Sequence, residues 1–343
     1  MLWAISGGAG FLGLHLSRRL LARGDSVRTL DLAPLADKHL EGRVEELRGD
    51  VRDPARGREL VRGADVLVHA AAALPIQASR AAIHSVNVDA TGTLLEAAQA
   101  AGVGRVVFIS STAVYGVPLV HPIDEDAPLV GVGHYGTSKI AAEAICRARG
   151  QAGLDIVILR PKTFVGPERL GVFEILFSWI RESRRLPLLG DGSNRYQLLA
   201  VEDLVGAVLA AAERDVAGET FNVGATRFGT VRSDLEALIR HAGSRSTLRP
   251  VPVRPAELVL RALELLRLSP LAEWHYRTAH RDSYVAVERA EERLGFVPRR
   301  SNEEALCATY DWYLENLGRE RPAGRTHRVP WNQGALGLLK RLS

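Results

Sequence analysis

Tyr135 and Lys139 are the residues of this chain best placed to move a proton. They stand four apart in Tyr135-Gly136-Thr137-Ser138-Lys139, a spacing that puts two side chains on one face of a helix. A phenol titrating near ~10 is a poor acid or base at neutral pH, but an adjacent ammonium favours the phenolate and moves it toward working range. The pair therefore predicts proton exchange with a hydroxyl or carbonyl. Taken alone, the same spacing also occurs on ordinary helices as a half-buried Tyr beside an exposed Lys. Its meaning depends on its companions.

The elements around the pair supply them. Leu2 to Ser6 reads as a strand running into Gly7-Gly8-Ala9-Gly10-Phe11-Leu12-Gly13, followed by an amphipathic helix to about Arg23. Gly7, Gly10 and Gly13 at this spacing predict a tight turn, close approach of backbone to a pyrophosphate, and close helix-to-strand packing. A second strand, Val27 to Leu30, ends at Asp31, where a carboxylate accepts from ribose hydroxyls and repels a 2′-phosphate. That favours NAD over NADP.

The alternation continues with a strand over 44–47, Asp50-Val51, a helix to Arg62, and a buried run from Asp65 through His69 to Ala70-Ala71-Ala72. Small residues at the end of such a strand let a cofactor approach closely. His69 is assigned no catalytic role. A long helix over 80–101 carries Asn87 and Thr91. The next strand, 106–109, ends in Ser110-Ser111-Thr112, which places hydroxyls in the crevice beyond a parallel sheet.

These residues together resemble the extended short-chain dehydrogenase/reductase family, which contains nucleotide-sugar epimerases and dehydratases and the 3β-hydroxysteroid dehydrogenases. The resemblance rests on the glycine loop, Asp31, Asp50-Val51, the His69 strand, Ser110 to Gly116, Tyr135 with Lys139, and Leu159-Arg160-Pro161, and it reaches to about Leu317. It implies an α/β fold, a Rossmann-type doubly wound parallel sheet with a smaller, mixed C-terminal substrate-binding region. The expected division is an NAD-binding domain over 1–160, a substrate-binding region over 161–317 interleaved with late Rossmann elements, and a basic tail over 318–343.

The resemblance also implies roles. Ser111 polarises the substrate oxygen, Tyr135 is the acid/base, and Lys139 binds the nicotinamide ribose and lowers the tyrosine pKa. Asp50 and Val51 hold the adenine, and Asn87 lies near the nicotinamide. Phe11, Leu12, Ala70, Ala71 and Pro161 complete the cofactor contacts. Thr112, Lys162, Thr163 and Tyr196 join Ser111 on the substrate side. The implied reaction interconverts a secondary alcohol and a ketone, with the hydride chemistry supplied by the cofactor.

Substrate class is read from departures within the family pattern. Nucleotide-sugar members typically place an arginine five residues before Val201, where its fork pairs with diphosphate oxygens. Tyr196 occupies that position, and Arg195 is shifted by one residue, toward the opposite face of an extended segment. Together with the apolar stretch from Phe173 to Ile180 and the basic tail, this favours an oxidoreductase of a hydrophobic, lipid-type 3-hydroxy or 3-keto substrate. A nucleotide-sugar 4-epimerase or dehydratase with tightly held NAD is the alternative. A non-catalytic NAD-binding scaffold comes last, because the Ser, Tyr and Lys set is intact.

Composition agrees with a soluble globular protein: 343 residues, 46% hydrophobic, 24% charged. Cys146 and Cys307 form no CxxC or zinc spacing and read as small buried hydrophobes of a reducing compartment. With a strand at the start and no apolar run of ~18 residues, the expected location is cytoplasmic. Residues 319–343 carry six Lys/Arg against Glu320, a local +5 that exceeds the whole chain's +4. Trp331 and the leucines 336, 338, 339 and 342 give this tail a short apolar face, fitted to membrane-surface contact or to packing on the body. Nucleic acid is not an expected partner, since no reader fold accompanies the basic residues. A homodimer through helices 80–101 and 134–150 is implied by the resemblance alone.

Overall fold

The computed structural model describes residues 1–74, 78–169, 171–265 and 278–318. Six strands from the first half of the chain form the sheet: β1 (Leu2–Ser6), β2 (Ser26–Asp31), β3 (Glu45–Arg48), β4 (Val66–His69), β5 (Arg105–Ile109) and β6 (Ile156–Pro161). A seventh, Thr220–Val223, returns from the second half and pairs in parallel with β6. Their order is Thr220–Val223, β6, β5, β4, β1, β2, β3, and every pairing is parallel. The order reverses between β1 and β4, so the crevice beyond their carboxyl ends is where a ligand is received.

Both faces are covered, as an all-parallel sheet requires. Alternation along β1 sends Trp3 and Ile5 to one face, under α1 (Phe11–Ala22), the helix Val201–Glu213 and the helix Glu288–Leu294. It sends Ala4 to the other, under α2 (Pro54–Val61), α4 (Ala90–Ala100) and α5 (Gly133–Gln151), with Leu67, Leu94, Val106 and Cys146. Fully buried leucines such as Leu16, Leu20 and Leu94 each contribute about 1.5–3 kcal/mol. The helix expected over 80–101 begins as α3 (Arg80–His84) and passes through one wider π turn, Ser85–Asp89, before α4. Such bulges tend to occur at functional sites, and this one carries Asn87.

Beyond Pro161 lies a smaller region. Thr163–Val165 pairs with Leu198–Ala200, and Arg185–Leu189 with Thr247–Val251. The apolar stretch 173–180 forms the helix Val172–Arg181, packed in a core. Its Ile175, Phe177, Trp179 and Ile180 pack against Leu238, Tyr310 and Tyr313. Its hydrophobicity is used in this region's own core. Cys146 is buried, whereas Cys307 is only half-buried. Among the described residues no helix is long and apolar enough to cross a membrane, and the basic tail over 319–343 lies outside the described residues.

A buried polar network fixes α5 to the sheet. Arg160 on β6 donates from Nε and Nη2 to the two carboxylate oxygens of Glu143, at 2.9 and 2.7 Å. It donates from Nη1 to the Tyr115 hydroxyl and the Glu125 carbonyl. The Tyr115 hydroxyl donates to Asn222 Oδ1 of the seventh strand, and Ser110 and Arg147 also donate to Glu143. Burial alone would raise the Glu143 pKa, but the Arg160 bonds and charge hold it below the ordinary carboxylate range.

Two outcomes follow for stability. Arg160→Met leaves Glu143 with only the half-exposed Arg147, at 2.7 Å, as counter-charge and is expected to lower stability in denaturant unfolding by about 2–4 kcal/mol, with the double variant Arg160→Met/Glu143→Met recovering part of it. His69 is 1% exposed, and burial, helped by the Lys139 charge, lowers its pKa from 6.5 to about 3. Because the unfolded chain binds a proton near pH 6.5 and the folded chain does not, stability is full above that pH and falls as pH drops. From pH 8 to pH 5 this one group removes about 2 kcal/mol. Unfolding of His69→Gln should show a correspondingly flatter pH dependence.

Candidate active site

One cleft of about 610 Å³ runs across the carboxyl ends of the strands, from the loop after β1 to Tyr196 and Ser283. Volumes of this order suit a cofactor or substrate. At its floor, Gly7 has φ +77°, and a Cβ there would lie 2.8 Å from the Ala71 backbone nitrogen. A Cβ on Gly13 would lie 2.5 Å from the Gly7 carbonyl oxygen. Only glycine keeps this turn and leaves room beside the amino terminus of α1, where backbone N–H groups favour phosphate.

Asp31 closes the far end of the turn. Its Oδ2 accepts from the Ala9 amide at 3.0 Å and its Oδ1 from the Ala33 amide at 2.9 Å. Burial raises its pKa against those amide bonds. Arg48, opposite Asp31 in register, also lines the cleft and donates to the Leu32 carbonyl. Asp50, with Val51 beside it, is chelated by Arg52, whose hydrogen bonds hold the carboxyl below its ordinary range. These residues fit the adenosine half of a dinucleotide.

The proton-moving residues stand at the other side of the sheet's centre. Gly133–Gln151 is one helix, and Tyr135 and Lys139 both line the cleft. Ser111, extended at the end of β5, accepts from the Ala113 amide and caps the short turn Thr112–Tyr115. The expectation that Lys139 draws the phenol toward neutrality is corrected. Burial pushes the Tyr135 pKa up to about 12, and what opposes it is a hydrogen bond with Ser111 and the charge of Arg169. The Lys139 ammonium is held elsewhere, donating to the Ile109 carbonyl at 2.8 Å over the Phe108 ring, and burial lowers its pKa to about 8. At neutral pH the Tyr135 phenol is protonated.

Of the residues singled out by sequence, Gly7, Gly10, Phe11, Leu12, Gly13, Asp31, Asp50, Val51, Ala70, Ala71, Ser111, Thr112, Tyr135, Lys139, Pro161, Lys162, Thr163 and Tyr196 all line this cleft. Asn87 does not. Its Oδ1 accepts from the Ala73 amide, and its Nδ2 donates to the Ala73 carbonyl and Ser138 hydroxyl. Asn87 thus ties the loop after β4 to α5 and positions the cleft wall. His69 is also held within the wall, between Ser6 and Thr91.

Sequence reasoning missed Phe164, Arg169, Thr278 and Ser283, all of which line the cleft. Phe164 stacks on Phe11 with centroids 5.7 Å apart, and Arg169 lies against both rings. The Gly166-Pro167 turn just before Arg169 was the available signal for it. Nothing local marks Ser283, which arrives far along the chain by a backbone bridge to Tyr196. Arg195 is turned away from the cleft as the extended-segment argument predicts, its guanidinium 4.6 and 4.8 Å from the Phe228 and Tyr284 ring centroids.

Comparison with known proteins agrees with this geometry. An uncharacterized protein of Sinorhizobium fredii, y4nG, is 36% identical over 98% of this chain and 84% of its own length. A 4-hydroxy-2-methyl-3-oxo-4-farnesyl-3,4-dihydroquinoline-1-oxide ketoreductase of Stigmatella aurantiaca is 28% identical, covering 95% of this chain and 99% of the relative. The crystal structure of the dTDP-glucose 4,6-dehydratase DesIV of Streptomyces venezuelae, with NAD bound, superposes with a TM-score of 0.77 at 29% identity, over 93% of this chain and 98% of that one. A family model matches residues 3–224, and the chain belongs to the NAD dependent epimerase/dehydratase family.

Proposed function

We propose that this enzyme carries out net oxidation or reduction between a secondary alcohol and a ketone on an apolar, lipid-type substrate. The carrying observation is that Tyr196 faces the cleft while Arg195 stacks on Phe228 and Tyr284. The substrate end lacks the arginine that would grip a diphosphate at this position and offers an aromatic ring in its place. The Tyr196 hydroxyl is paired with Thr163 at 3.3 Å, so the face turned toward a ligand is largely carbon. The farnesyl-bearing compound named for the Stigmatella ketoreductase supports the same reading.

A sugar dehydratase needs more than hydride transfer. Eliminating water requires a base to remove one proton and an acid to protonate the leaving hydroxyl. Among the described residues lining the cleft, the carboxylates are Asp31 and Asp50, both at the adenosine end. Thr112 and Ala113, next to Ser111, offer no such pair.

When bound, NAD(H) supplies the hydride. The chain's own residues do the rest. Ser111 and Tyr135 hold the substrate oxygen from two sides, and Tyr135 gives its proton to the oxygen as negative charge develops there, which is where preorganised donors act most strongly. In the oxidative direction the same phenol must first be ionised. Lys139, anchored on the Ile109 carbonyl, positions the ribose beside it.

With a phenol titrating near about 12, the proton donor stays loaded across the neutral range. Ketone reduction is therefore expected to keep a flat kcat from pH 6 up to about pH 8, where the Lys139 ammonium begins to discharge, whereas alcohol oxidation rises with pH as the phenol ionises. Tyr135→Phe should lower both by about 100-fold or more while NADH binding, read by fluorescence titration, stays within about threefold. Steady-state assays with aliphatic and isoprenoid ketones check this. Retained turnover in Tyr135→Phe would remove Tyr135 from the mechanism.

A further inference from the structure

Two cations lining the cleft have no counter-charge among the described residues. Arg169 is 8% exposed and lines the cleft, yet its Nε and Nη1 have no hydrogen-bond partner. Its guanidinium rests on the Phe11 and Phe164 rings, 5.4 and 5.5 Å from their centroids. Lys162, 3% exposed, lines the same cleft. Its Nζ donates to the Ser283 hydroxyl at 2.7 Å and lies 4.9 Å from the Tyr196 centroid.

Hydroxyls and ring faces solvate a charge without neutralising it. Burial lowers the pKa of Lys162 to about 7 with no carboxylate opposing it, and that of Arg169 to about 9 with only Tyr135 opposing. A buried charge left unpaired works against folding. Two of them lining one cleft make sense if an anion arrives with the ligand.

The cleft's own carboxylates do not serve, since Asp31 is held by two backbone amides and Asp50 by Arg52. The other cations in the lining are already committed, Arg48 to the Leu32 carbonyl and Lys139 to the Ile109 carbonyl. Lys162 and Arg169 remain, one compact donor and one planar fork. Such a fork matches a single carboxylate in two-point contact.

We propose that Lys162 and Arg169 form the binding site for a carboxylate of the substrate, so that the substrate is an apolar hydroxy or oxo acid. Arg169 and Tyr135 line the same cleft. The inference rests on the dehydrogenase reading above and narrows its substrate class.

The test is calorimetric titration of the full chain, saturated with NADH, using 3-hydroxydodecanoate, its methyl ester and UDP-glucose. The acid is expected to bind at least about tenfold more tightly than the ester. Arg169→Met and Lys162→Met should each remove most of that preference, with ester and NADH affinities changed by less than about threefold. The ligand-free melting temperature of Arg169→Met should stay level or rise, because an unpaired buried charge is removed.

Equal or weaker binding of the acid, or binding of neither lipid, overturns the carboxylate site. Ester binding equal to acid leaves the apolar-substrate reading standing, whereas UDP-glucose binding with neither lipid removes both. Loss of NADH affinity in Arg169→Met would show that the cofactor's phosphates are its anion. A lowered melting temperature with both lipids weakened alike would show a structural role; either result overturns the proposal.

Discussion

The Arg160–Glu143 pair is the constraint on which the site depends. Glu143 lies one turn beyond Lys139 on α5, and Arg160 immediately precedes Pro161, which lines the cleft. With both oxygens of Glu143 taken by one guanidinium in the interior, α5 can neither rotate nor slide without stranding a charge. The rotation so fixed turns Tyr135 and Lys139 into the cleft. Through Tyr115, Glu125 and Asn222 the same network reaches the seventh strand, so the second half of the chain is held in register with the catalytic helix.

The cleft is electrically graded along its length. Asp31, Asp50 and Arg48 with backbone amides line one end, the Tyr135 phenol, the Ser111 hydroxyl and Lys139 stand at the centre, and Lys162 and Arg169 complete the lining. This arrangement makes Tyr135 primarily an acid. Its elevated pKa arises from burial, with Ser111 and Arg169 moderating it. Arg169 thus bears on the charge state of the phenol and, in the proposal above, on recognition of the substrate.

Much of the first half was legible in sequence because its signals are local. A glycine turn between strand and helix, an acid at the end of β2, and hydroxyls at the end of β5 each follow from a few adjacent residues, and the structure gathers them in one cleft. Other expectations failed for identifiable reasons. Spacing of four placed Tyr135 and Lys139 on one face, but a lysine side chain is long enough to find a carbonyl instead of the phenol. Asn87 sits on the inward side of its helix, yet the π turn aims its amide at Ala73 and Ser138. Periodicity showed that 173–180 is buried and could not say against what; its partners, Leu238, Tyr310 and Tyr313, are far along the chain. Ser283 and the seventh strand depend on pairings across similar distances, which no local pattern encodes.

The central claim is that hydride passes between substrate and a cofactor that exchanges with solution, as net redox chemistry demands. It is tested most directly by turnover with NADH deuterated at the transferable position, followed by mass spectrometry of the product. The account predicts that product carries one deuterium per molecule and that NADH is consumed in equal amount. Unlabelled product formed without net NADH consumption, with the cofactor retained on the protein throughout, would contradict it and assign the chain to internal oxidation and re-reduction.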